Sequence, residues 1–158
     1  MDNPQSLLPG DAVEIAPVAA CRIEDSRRVG TLPRYFGARM MRFENAVCGF
    51  MREFAADYHG GLWHFYELSN GGFYMAPEAR SFRIVVESNG YEGVMSADAA
   101  GITVCLFAYS HLSFQDPGAG VLGRRLRRLG AVENPAHTNV QAIKTRASAV
   151  PASDCAAL

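Results

Sequence analysis

The sequence predicts an α+β fold: a four-stranded antiparallel meander packed with two main helices, followed by a disordered C-terminal tail. Three observations predict it. Asn70-Gly71 and Asn89-Gly90 each stand between alternating apolar runs, and this dipeptide tolerates the positive φ that tight hairpin turns require. Apolar residues between 36 and 54 recur at alternating spacings of four and three, the period of an amphipathic helix. All nine Phe, all six Tyr and the one Trp lie at or before Phe114, so the last forty-odd residues have little to build a core with. The expected organisation is an irregular arm over 1–33, an α+β domain over 34–115 and a basic tail over 116–158.

The arm contains Pro4, Pro9, Pro17 and Pro33 without a sustained period, which leaves room for one short strand near 13–15 or 27–32. Its mixed-sign run, Arg22, Glu24, Asp25, Arg27 and Arg28, reads as solvated surface. A helix over 34–56 follows, with Phe36, Met40, Phe43, Val47, Phe50 and Phe54 on one face and Pro33 in its first turn. The break His59-Gly60-Gly61 ends it. Gly37 and Gly49 cost helix stability and are expected where another backbone comes close.

Residues 58–77 form the first hairpin. A two-residue turn at Asn70-Gly71 sets Leu68 opposite Phe73, Tyr66 opposite Met75 and Phe65 opposite Ala76. Trp63, Phe65, Glu67, Tyr74 and Ala76 then share one face, and His64, Tyr66, Leu68, Phe73 and Met75 the other. Strands near 82–88 and 91–95 form the second pair. A two-residue turn at Asn89-Gly90 opposes Glu87 and Glu92, an unfavourable pair, so either the pair lies at an exposed end or the loop is longer. Ser96 caps a helix from Ala97 to about Phe114, with Asp98 in its first turn, and this helix is apolar nearly all round and must be buried. Beyond it, 121–129 can form a turn or two of basic helix carrying Arg124, Arg125, Arg127 and Arg128, and from about 130 the chain reads as disordered.

The strings GGLWHFYELSNGGFYMAP, LPRYFG at 32–37, RFE at 42–44 and NGYEGVMSADAAGI at 89–102 resemble the plasmid-borne antirestriction proteins of the ArdB/KlcA type over about residues 29–115. The resemblance implies inhibition of type I restriction enzymes, with the restriction-modification complex as partner and no catalysis. The C-terminus departs from the pattern of that family, which continues with a Tyr-bearing amphipathic helix.

Composition narrows the remaining classes. One domain is the default at 158 residues. Cys21, Cys48, Cys105 and Cys155 form no CxxC pair, no apolar run is long enough to span a membrane, and the N-terminus lacks a signal-like segment, so a soluble cytoplasmic protein, expected as a monomer, is the reading. Through residue 115, nine Lys/Arg stand against thirteen Asp/Glu; from Asp116, six stand against three. B-DNA carries one negative charge per roughly 1.7 Å of axis, far above this density, which disfavours DNA mimicry. Four scattered histidines give no metal face, Cys48 and Cys105 read as small core residues, and Glu67, Glu87, Glu92 and Asp98 meet only if strand ends converge. No cofactor, metal or catalytic residue is expected. A partner-binding inhibitor needs aromatic anchors with a polar rim, for which the candidates are the Trp63, Phe65, Tyr74 face and the Asn89, Tyr91, Glu92 turn. The alternative function is a small DNA-binding accessory protein using the four-arginine segment, with little free-DNA binding expected from the charge balance.

Overall fold

The computed structural model describes residues 18–116 and 120–133. The expected strand at 13–15, His137, Cys155 and the expected disorder beyond 133 lie outside the described residues. The order of elements is β1 (Ala20–Arg22), α1 (Asp25–Phe36), a 3₁₀ turn (Gly37–Arg39), α2 (Met40–Phe54), β2 (Trp63–Leu68), β3 (Phe73–Pro77), β4 (Ser81–Val86), a second 3₁₀ turn (Glu87–Asn89), β5 (Tyr91–Ser96), α3 (Ala97–Gln115) and α4 (Gly120–Glu133). The α+β class holds, but the single meander divides into a three-stranded antiparallel sheet, β1-β2-β3, and a separate pair, β4-β5.

The division has a local cause on the outer edge of β3. Met75 N donates to Cys105 Sγ at 3.4 Å, that thiol donates back to Met75 O at 3.6 Å, and Tyr109 Oη donates to Phe73 O at 3.0 Å. Side chains of α3 thus take the backbone groups that β4 would have paired, and buried backbone groups need some such partner. The approach is close because Gly101 faces β3: a Cβ there would lie 2.6 Å from Met75 O and 2.7 Å from Ala76 Cα. Gly101 is therefore the close-packing glycine. At Gly37 and Gly49 an added Cβ would meet nothing within 4 Å; Gly37, with φ +55°, ends α1, its N–H donating to Pro33 O.

Both hairpins stand where the Asn-Gly pairs put them, in different registers. In β2-β3, Phe65 pairs with Met75, Tyr66 with Tyr74 and Glu67 with Phe73. Gly71 N donates to Leu68 O, and Leu68 N to Gly72 O, closing a three-residue loop in which only Gly71 takes positive φ, +76°. This is the type I turn with a glycine bulge. Asn70 stays out of the left-handed region and uses Oδ1 to accept from Gly72 N at 2.9 Å. In β4-β5, Val86 pairs with Tyr91 and Val85 with Glu92, so the loop is the longer one, 87–90, closed by Gly90 in the left-handed region. Glu87 and Glu92 are not opposed.

The expected helix over 34–56 is two helices. Residues 25–32, read as arm, begin α1, and Pro33 lies in its last turns instead of opening a helix. A proline forgoes one backbone bond to the preceding turn, here toward exposed Val29, and α1 stops three residues later. Phe43, Val47, Met51 and Phe54 form the buried stripe of α2. Phe36 stacks on Phe43 at 4.0 Å between centroids, Tyr109 lies 4.7 Å from Phe43, and Phe36 meets Phe73 edge-on at 5.7 Å. This aromatic centre joins both helical layers to the sheet. Ser96 caps α3 as expected, accepting from Ala99 N at 3.2 Å.

In the basic tail, where a turn or two of helix was expected at 121–129 and disorder from about 130, residues 120–133 form one continuous helix that packs on α3 and buries Leu122 and Leu129. α4 thereby covers an apolar surface of α3. Its apolar stripe runs Leu122, Leu126, Leu129, spacings of four and three that serve burial without an aromatic residue.

Candidate functional site

The two surfaces proposed from the sequence have different fates. Trp63 and Phe65 are each 5% exposed and Tyr74 1%. Trp63 Nε1 donates to Tyr58 Oη at 2.8 Å, and Phe65 lies under the Arg28 guanidinium, 4.9 Å from its carbon. Register puts Tyr74 with Tyr66 on the opposite face, their rings stacked at 4.7 Å. Tyr74 Oη donates to Asp98 at 2.9 Å, and burial first, then that carboxylate, pushes its phenol pKa up. These three side chains are core residues on two faces.

The Asn89, Tyr91, Glu92 turn is at the surface, with Tyr91 39% exposed and Val94, three residues along on the other face of the strand, 74%. Asn89 Oδ1 accepts from Tyr91 N at 3.0 Å, which fixes the loop, and Glu92 pairs with Arg83 across the strands. The Tyr91 ring folds over Gly93, where a Cβ would fall 2.6 Å from the phenol oxygen. Gly93 thereby lets an aromatic side chain lie along its own strand, next to a short loop closed by the Gly90 N–H donating to Glu87 O.

Behind this tip, between the end of α2 and β4, opens a cleft of about 510 Å³ lined by Glu53, Phe54, Ala56, Asp57, Arg83, Val85, Glu87 and Ser88. With Arg83 already paired to Glu92, its free charges are acidic. Among the described residues no group of three His, Cys, Asp or Glu side chains is placed to hold a metal ion. The four carboxylates considered together do not form one pair: Glu67 meets Arg34 and Tyr35, Asp98 meets Tyr74, Glu92 meets Arg83, and Glu87 lines the cleft. Cys105 is fully buried and its thiol is pushed up to about 12 by that burial, the opposite of a nucleophile's setting.

Two features were missed in sequence. Glu67 is a buried carboxylate, accepting from Tyr35 Oη at 2.7 Å and Arg34 Nη1 at 3.1 Å, with Arg27 at 3.9 Å. Arg125 lies over the Tyr35 ring at 4.2 Å. The signal for Arg125 was present: it falls three residues after Leu122 and four before Leu129, on the apolar stripe.

A family model described as "Antirestriction protein" matches residues 56–145. The chain belongs to the antirestriction protein family. The match reaches past Gln115, where the resemblance in sequence was placed, and takes in α4. Antirestriction protein KlcA of Escherichia coli is 52% identical over 101 residues, 61% of this chain and 69% of the relative. A second Escherichia coli KlcA is 45% identical over 104 residues, 65% of this chain and 73% of the relative. A solved structure from work on KlcA and ArdB, which describes a novel fold and antirestriction activity against type I DNA restriction systems in vivo but not in vitro, aligns with a TM-score of 0.70 at 41% identity, covering 78% of this chain and 92% of the other. The antirestriction fold therefore has two sheets here, and no helix among its described residues is long and apolar enough to cross a membrane.

Proposed function

We propose that this chain inhibits the endonuclease activity of type I restriction-modification complexes and so protects incoming plasmid DNA, acting in the cytoplasm as a monomeric protein-binding inhibitor and not as an enzyme. The observation that carries the mode of action is the β4-β5 tip: Tyr91 lying over Gly93, with Asn89 and Glu92 beside it and Val94 exposed on the same hairpin. A rigid aromatic residue with a polar rim is what a protein interface uses as an anchor. DNA mimicry is disfavoured because sixteen acidic residues are matched by fifteen basic ones. Direct DNA binding is disfavoured because, of the four arginines in α4, Arg125 is stacked on Tyr35 and Arg128 donates to Gly71 O, leaving Arg124 and Arg127 for phosphates.

The test is made in cells carrying a type I system. Unmodified phage should plate with higher efficiency when the protein is expressed, while methylation of host DNA continues. Tyr91→Ala with Glu92→Gln should abolish most of that protection at an unchanged melting temperature. Equal plating with and without the protein would remove the inhibitory function; full protection by the double variant would remove the hairpin as its surface.

A further inference from the structure

A second cleft lies at the other end of α2, where α4 crosses the junction of α1 and the first 3₁₀ turn. It measures about 360 Å³ and is lined by Arg34, Tyr35, Phe36, Gly37, Arg39, Val121, Leu122 and Arg125. Three guanidinium groups and several apolar side chains face one small volume. Two of the cations already hold carboxylates of the chain itself: Arg34 pairs with Glu67 at 3.1 Å and Arg39 with Asp116 at 2.7 Å. Arg125 differs. Its Nε and Nη1 are buried without a hydrogen-bond partner, resting against the rings of Tyr35 at 4.2 Å and Phe36 at 5.7 Å. Ring faces compensate a guanidinium only in part, and a buried donor without an acceptor is costly.

We propose that this cleft is a binding site for an acidic, apolar-flanked peptide segment of a partner protein, whose carboxylate pairs with Arg125 while its apolar side chains lie on exposed Val121. Carboxylate recognition by a guanidinium is the chemistry the rim already displays twice. A nucleic-acid ligand fits less well, because the one Tyr ring in the cleft is covered by Arg125 and also packs on Phe73 at 4.8 Å, leaving no free platform for a base. Burial lowers the Arg125 pKa from its ordinary value, a desolvation that a bound anion would offset. The site stands apart from the hairpin tip: the fifteen residues of α2 separate the two ends by about 22 Å.

The experiment uses the full chain and a fluorescein-labelled hexapeptide of alternating Leu and Glu, followed by anisotropy. The peptide binds, hexaglutamate competes more weakly because it leaves the apolar wall unused, and Arg125→Met weakens binding about tenfold or more. Glu53→Gln with Glu87→Gln, in the acidic cleft, leaves affinity within twofold. If Arg125→Met lowers the melting temperature, Arg39→Gln on the exposed rim serves instead, with a severalfold loss expected. Absence of binding by the unaltered protein, or affinity unchanged in both arginine variants, overturns the proposal. So does displacement of the peptide by inorganic phosphate or a short DNA duplex at lower concentration than by hexaglutamate, which would make the cleft a phosphate site. Because plating efficiency with the Tyr91 variant tests the hairpin alone, failure of either site is read separately.

Discussion

The two ends of α2 handle charge in opposite ways. At its C-terminal end Glu53, Asp57, Glu87 and Glu92 stand exposed around an open cleft, and the ion pair of Arg83 with Glu92 lies in solvent. At the other end, arginines lie on rings, one carboxylate is buried among them, and Arg128 reaches across to a hairpin carbonyl. Exposed pairs contribute little to stability, whereas a buried carboxylate with specific donors is expensive to disturb. Charges at the acidic end can therefore be changed at little cost to stability, while those at the basic end are tied to the integrity of the fold.

The contrast is broken most severely by detaching α4. Leu129 is fully buried, and Leu129→Ala should cost about 3 kcal/mol in chemical denaturation; a negligible change would mean that residues 120–133 do not pack as a helix on α3. Next come the matched carboxylates. Glu67→Ala should cost about 2 kcal/mol, since it empties a buried site and takes the acceptor from the Tyr35 hydroxyl, while Arg27 and Arg34, about half exposed, stay hydrated, whereas Glu92→Ala should stay within about 0.5 kcal/mol. Equal losses would erase the distinction between the ends. A loss smaller than either of the buried-residue substitutions comes from the core they share. Burial favours the neutral Cys105 thiol, raised to about 12, so its contribution is intact below the unfolded thiol's value and is lost as pH rises through the folded one. At pH about 9.5, one unit above an unfolded thiol, the loss should be about 1.4 kcal/mol, and Cys105→Ala should remove the fall between pH about 8.5 and 9.5, below the range in which the buried phenols of Tyr74 and Tyr109 contribute the same kind of loss. Identical profiles would show that Cys105 titrates as an exposed thiol.

Much of the fold was legible because it rests on local chemistry. Ser96 marked the start of α3 to the residue, and the two Asn-Gly pairs located both hairpins. The registers were not legible, because Asn-Gly serves a two-residue turn and, with a further residue, a bulged loop; the choice is made by packing of whole strands. The break between the sheets depended on Gly101 and Ala76 letting α3 reach the edge of β3, a contact between residues 25 apart that no local pattern announces. Weighting aromatics over spacing reduced α4 to a turn or two of unpacked helix and hid the inward placement of Arg125. For the candidate site, the Asn89, Tyr91, Glu92 turn was identifiable from its own polar residues, while Trp63, Phe65 and Tyr74 looked available only because nothing in the hairpin itself shows what lies over it.

The bonds at the β2-β3 tip also set an order of events. Asn70 Nδ2 donates to the carbonyl of Arg128 at 2.8 Å, and Arg128 returns a bond to Gly71 O at 3.2 Å, so a loop made early in translation is fastened by a residue 58 positions later. Until the ribosome releases that segment, the nascent chain holds a completed hairpin with an unfastened tip and the α3 surface meant for Leu122 and Leu129 uncovered. A contact of such sequence separation forms after the local hairpin, so the covering of α3 by Leu122 and Leu129 is a late step in folding.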